Sequence, residues 1–235
     1  MKRKPRKDAQ ETRQRLLMAA AEVFAQKGFW EATHAEICEK AGANAAAVNY
    51  HFTSKENLYV EAWRNAFERS VQAHPPDGGV PADAPPEERL RGKILSLMRR
   101  MGDPNNFEVE IVHKEMANPT GLLAEAMHRA IDPLRMDMRA LVRELLGEGA
   151  REQDVFLCEM SLMGLCFGPI GHIRGSKPPG EPHRSDPPFK FGVEELADHV
   201  TQFILAGVRS MRERAVRAPK AVGKQPWNAR VSKRE

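Results

Sequence analysis

Cysteine is scarce in this chain: three in 235 residues, Cys38, Cys158 and Cys166. An odd number without C-x-x-C spacing implies no disulfide framework and favours reduced, buried thiols in a cytoplasmic protein. Long apolar runs are missing too. Behind the basic start, Leu16 to Ala21 is cut by Glu22 before it reaches the length of a signal-peptide core. The longest later run, Met160 to Ile173, is below spanning length and carries Gly164, Gly168, Pro169 and His172. No convincing apolar/polar alternation marks a strand and no internal repeat is present, which leaves an all-α fold. Nor is there an H-E-x-x-H pair, a Gly-rich phosphate loop or a G-x-S-x-G elbow. His113, Glu115, His128, Cys158, Cys166 and His172 match no standard ligand spacing, so the expectation is no enzyme, no cofactor and no metal.

Excess charge is small, a formal net +4, so no global polycation explains binding. Its distribution says more. Lys2, Arg3, Lys4, Arg6 and Lys7 crowd the start, and Arg209, Arg212, Arg214, Arg217, Lys220, Lys224, Arg230, Lys233 and Arg234 crowd the end. The middle is nearer neutral or acidic.

What the chain does have is the stretch from Gly28 to Leu58, GFWEATHAEICEKAGANAAAVNYHFTSKENL. Thr33 can cap a helix bearing Ile37 and Ala41 on one face, Gly42 supplies a tight turn, and Asn44 can cap a second helix carrying Val48 and Phe52 inward. That is the layout of a helix-turn-helix, whose second helix enters the DNA major groove. Gly28, Phe29, Thr33, Ile37, Ala41, Gly42, Tyr50, His51, Phe52, Ser54, Lys55, Glu56 and Leu58 fall at the offsets of the TetR/AcrR repressor pattern, which the segment resembles. Farther on, HKEMANPTGLL from His113 to Leu123 is similar to the R-E-x-x-x-P-T element of the CerR-type C-terminal domain of one TetR subgroup, with Lys114 in place of Arg. Asn49, where most such recognition helices carry an aromatic residue, agrees with that subgroup.

Around these motifs the apolar spacing predicts further helices. Leu17, Ala20, Ala21 and Phe24 mark a first helix from about Thr12 to Lys27, and Ser54 opens another with Tyr59, Trp63, Ala66 and Phe67 in one stripe. The Pro/Gly-rich segment from His74 to Pro86 is a loop or mobile linker, and Gly175 to Pro188 is a second loop. Amphipathic helices are expected around Leu90 to Met101 and Val109 to Met116. Asp132 and Pro133 look like the cap and first residue of a helix leading to Leu145. Two longer apolar segments follow, from Val155 and from Val193. The expected division is a basic N-terminal arm (1–11), a three-helix helix-turn-helix domain (12–58), a helical effector-binding and dimerisation domain (59–216) and a basic, disordered tail (217–235).

The resemblance implies a homodimer built on the two long C-terminal helices, double-stranded DNA with a palindromic operator as partner, and a small-molecule effector that releases a repressor; activation in place of repression stays open. By position in the pattern, Thr33, Tyr50, His51 and Lys55 would contact phosphates, with Tyr50 also burying its ring. Asn44, Ala45, Ala46, Ala47 and Asn49 would face the groove floor, where Asn49 can pair with adenine, and His34 adjoins them. The basic arm would reach a minor groove or remain a solvated terminus. Candidate effector residues are Phe107, His113, Glu115, Met116, Met138, Met163 and Phe167, a Met-rich set suited to apolar compounds, with ordinary core packing as the competing reading of each. Two other readings stay open: an effector-independent or architectural DNA-binding protein, and a metal- or redox-sensing regulator using Cys158 and Cys166, about two turns apart on one predicted helix.

Overall fold

The structure, a computed structural model, describes residues 5–169 and 191–217, except the side chains of 5–7 and 215–217. Its helices are α1 (Pro5–Glu31), α2 (His34–Ala41), α3 (Ala45–His51), α4 (Lys55–Ala73), α5 (Pro86–Gly102), α6 (Phe107–Ala117), α7 (Ala124–Leu146), α8 (Glu152–Phe167) and α9 (Val193–Arg217), and no strand occurs among the described residues. The loop expected from Gly175 to Pro188, the first basic residues Lys2 to Lys4 and the tail from Ala218 lie outside the described residues.

Helix α1 already runs at Pro5, ahead of the expected start near Thr12. Nothing between Arg6 and Glu11 breaks a helix, Asp8 suits a first turn, and Thr12 Oγ1 donates back to Asp8 O at 2.8 Å. The described part of the basic arm is therefore helical. At the other end Gly28 takes φ 76° and ψ −180°, a left-handed backbone that only glycine adopts without strain, and the helical path breaks there.

Two apolar cores follow from the helix stripes. The first gathers Leu16, Leu17, Ala20 and Phe24 of α1 with Ile37, Val48, Phe52, Leu58, Tyr59 and Trp63, and it also takes in Ile111 of α6 and Leu123 and Ala126 around the start of α7. The second joins Leu90, Ile94 and Met98 of α5 to Leu141, Val142 and Leu145 of α7, Val155 and Leu162 of α8, and Val200 and Ile204 of α9. Each fully buried large apolar side chain contributes about 1.5–3 kcal/mol.

Asp132 and Pro133, expected to begin a helix, lie instead inside α7. Proline there removes one backbone hydrogen bond at a cost of about 3 kcal/mol. Packing on both sides overrides it: Ala126 holds the N-terminal half in the first core, Met138, Leu141 and Leu145 hold the C-terminal half in the second, and Pro133 and Arg129 are exposed, where water reaches the freed carbonyl. Nor is the His74 to Pro86 segment a slack linker. Ser96 Oγ donates to Pro75 O at 2.6 Å, Arg89 Nε donates to Ala84 O at 3.0 Å, and the loop backbone lies so close to α5 that a Cβ on Gly92 would stand 2.8 Å from Asp77 O.

At the joint between α5 and α6 a charged pair is buried. Arg100 Nε lies 3.4 Å from Glu108 Oε1, and the Arg100 guanidinium stacks 5.2 Å from the Phe67 ring of α4. Asn106, also buried, donates to Arg100 O at 2.9 Å and to Ser70 Oγ at 3.3 Å. No helix among the described residues is long and apolar enough to cross a membrane.

Candidate nucleic-acid interface

Local hydrogen bonds fix the turn between α2 and α3. Thr33 Oγ1 accepts from Glu36 N at 3.3 Å while Glu36 Oε2 accepts from Thr33 N at 3.1 Å, a closed capping box. The Lys27 ammonium, followed by the Thr33 hydroxyl and amide, holds the Glu36 carboxyl below its ordinary range. Gly42 ends α2 at φ 58° and ψ 41°, and Arg15 Nη1 donates to Ala41 O at 3.1 Å from α1. Asn44 Oδ1 then accepts from Ala47 N at 2.9 Å and starts α3.

With Val48 and Phe52 buried, the opposite side of α3 is free. Asn44, Ala45, Ala46 and Asn49 are exposed, while Ala47 is half-buried against the first core. Tyr50 departs from expectation: its ring is 79% exposed and meets the His51 ring edge-on at 4.9 Å. At about 100° per residue, two steps from an inward Val48 turn it to the outer face, so it packs nothing inward. Lys55, in the first turn of α4 behind the Ser54 cap, is half-buried with Nζ 4.6 Å from the Phe29 ring centroid. His34 opens α2 half-buried, and its Nε2 has no partner among the described residues. Sequence reasoning passed over Trp30. It is 67% exposed, and its ring meets the other side of this cluster, 5.2 Å from Phe29. The available signal was the inward Phe29, which sends its neighbour outward.

The seven candidate effector residues do not come together in one site. Met138 and Met163 belong to the second core, Phe107 packs against the first, and His113, Met116 and Phe167 are exposed. Glu115 is engaged: Oε1 accepts from Thr120 N, Thr120 Oγ1 and Gly121 N, each at 2.9 Å, and Oε2 accepts from Tyr59 Oη at 3.0 Å. That gives the E-x-x-x-P-T spacing a physical reason, since the carboxylate closes the turn that Pro119 opens. Cys158 and Cys166 are buried, and burial pushes both thiols up, Cys166 to about 12. Eight residues apart on one helix, they stand roughly 12 Å from each other along its axis, beyond disulfide reach. Among the described residues no cluster of His, Cys, Asp and Glu could hold a metal ion.

Residues 16–62 match the family model described as bacterial regulatory proteins, tetR family, and residues 86–208 match that of the C-terminal domain of the HTH-type transcriptional dual regulator CecR. The chain belongs to the TetR family of transcriptional regulators. Within this TetR-family regulator, the motif from His113 to Leu123 falls inside the CecR match, the domain expected above as CerR-type. The chain is 32% identical over 168 residues to the HTH-type transcriptional regulator UidR of Escherichia coli, covering 71% of this chain and 83% of that protein. It is 27% identical over 150 residues to the regulator SrpR of Pseudomonas putida, covering 63% and 68%. Among solved structures, the TetR family regulator PfmR of Thermus thermophilus superposes with a TM-score of 0.58 at 24% identity, covering 81% of this chain and 97% of that one. A TetR-like regulator from a Rhodococcus species gives 0.63 at 20%, covering 84% and 96%. Both likenesses are of fold.

Proposed function

We propose that this TetR-family regulator works as a homodimeric repressor that grips a palindromic operator with α3 of each copy and lets go when a small effector binds its helical body. The observation that carries the reading is the doubly capped helix-turn-helix, with Asn44, Ala45, Ala46 and Asn49 exposed between Thr33 on one side and Tyr50 and Lys55 on the other. Asn49 can bridge an adenine edge and the alanines can touch thymine methyls, while Thr33, Tyr50, His51 and Lys55 meet phosphates. An α3 without Arg or Gln leaves a share of the specificity to DNA shape.

Support for the dimer comes from α8 and α9. Phe156, Leu157, Met160 and Phe203 are all exposed, large apolar side chains on the two C-terminal helices, and such a face asks for a cover. We assign effector binding to the CecR-type domain, where Met138 and Met163 of the second core offer apolar side chains.

Selection of bound fragments from the source genome with the purified protein, then footprinting and a salt titration, tests the reading. A protected palindrome held well above bulk DNA supports it; uniform, steeply salt-dependent binding without a footprint replaces it with an architectural role.

A further inference from the structure

A cleft of about 640 Å³ opens on the side of the molecule, and no residue of α3 lines it. Its walls are α1, the end of α2, the outer face of α4 and the turn between α5 and α6. Ala19 and Ala66 keep the floor low, while Met18 and Phe107 add apolar surface.

The charges around it are unequally matched. Glu22 is paired with Lys40 at 2.6 Å, and Asp103 is paired with His74 at 3.3 Å and accepts from Asn105 N at 2.8 Å. Arg15 gives its hydrogens to Ala41 O and Thr12 Oγ1, neutral acceptors, and Arg69 is exposed. Neither guanidinium has a carboxylate partner among the described residues. Two cations without a carboxylate partner beside apolar side chains, in a volume typical of small-molecule sites, define the chemistry of an occupant.

We propose that this cleft binds a small amphipathic anion, a carboxylate or sulfonate on a flat apolar body. Arg69 and Arg15 hold the anionic head, and Met18 and Phe107 take the body. Because α1 and α2 form one wall and the α5–α6 turn another, an occupant bridges the helix-turn-helix and the helical body and opposes their relative movement. That consequence, though not the binding, rests on the function proposed above.

Titration calorimetry of the full chain with 2-naphthoate and its neutral counterpart 2-naphthamide tests the site, with Arg69→Glu reversing the rim charge and Ala73→Trp plugging the exposed mouth. Melting curves verify that both variants fold. Naphthoate is expected to bind at least tenfold more tightly than naphthamide, to lose at least tenfold in Arg69→Glu and to be blocked in Ala73→Trp. Equal affinity for the two compounds, unchanged binding in Arg69→Glu, or no binding at millimolar naphthoate overturns the proposal. Operator binding is read on the same samples. Naphthoate binding that Arg69→Glu abolishes supports the cleft even if no DNA is bound, an outcome that overturns the regulatory reading alone.

Discussion

Tyr59 on α4 donates its hydroxyl hydrogen to Glu115 on α6 at 3.0 Å, from a ring with no solvent exposure. One carboxylate thus pins the helix after the recognition motif to the turn that leads into α7. Tyr59→Phe leaves the ring and removes this bond to a charged acceptor, so a loss of about 1.5–3 kcal/mol is expected in urea unfolding. The phenol also has a pH signature. Burial first, then the Glu115 charge, pushes its pKa above the ordinary 10.0, so the folded state keeps a proton that the unfolded chain releases. The contribution is full below about pH 10 and declines as pH rises further. Subtracting the Tyr59→Phe curve from that of the wild type isolates this decline; parallel curves would remove the bond from the account.

The Arg100 and Glu108 pair predicts a non-additive pair of variants. Removing one partner leaves the other charge buried, so Glu108→Leu alone should cost about 3–5 kcal/mol, whereas Arg100→Met with Glu108→Leu should recover most of that loss. Denaturant midpoints of the two single variants and the double variant measure the coupling. Additive losses would show that water reaches the pair.

At Gly92 two effects oppose. Alanine improves helix propensity by about 1 kcal/mol, but its Cβ would stand 2.6 Å from Val80 Cγ2 and 2.8 Å from Asp77 O. Overpacking of this kind costs about 1–3 kcal/mol, so Gly92→Ala should lower Tm or free the 74–85 loop to proteolysis. A raised Tm without new cleavage would contradict the close approach.

For DNA, Asn49→Ala should lose about 1–3 kcal/mol on the operator and little on bulk DNA, relaxing preference at one base pair. Lys55→Ala should weaken both and flatten the salt dependence by about one unit. Fluorescence anisotropy across a salt series separates them.

On the α8 and α9 face, Phe203→Glu places a charge where the side chain is 61% exposed, so folding should hold while dimers dissociate. Light scattering at micromolar concentration should report a monomer; an unaltered dimer would move the interface elsewhere.

Where the chain's information is local, the sequence was readable. Thr33, Gly42, Asn44 and Ser54 each cap or turn within three residues of themselves, and all four do so in the structure. Pro133 misled because the competing term is tertiary: only the two cores flanking it explain why a helix runs through. Glu115 misled in part for the same reason: Thr120 and Gly121 bond it locally, but its partner across the core, Tyr59, lies 56 residues away. The outward ring of Tyr50 was legible from its spacing to Val48.

Because Ile111, Leu123 and Ala126 complete the core around Phe24, Tyr59 and Trp63, the reading head is not a detachable module. A chimera spliced after Leu58 would carry half a hydrophobic interior into water. Grafting this motif onto another effector body calls for taking α4, α6 and the first half of α7 along, so the natural joint for such engineering runs between the two cores and not along the chain.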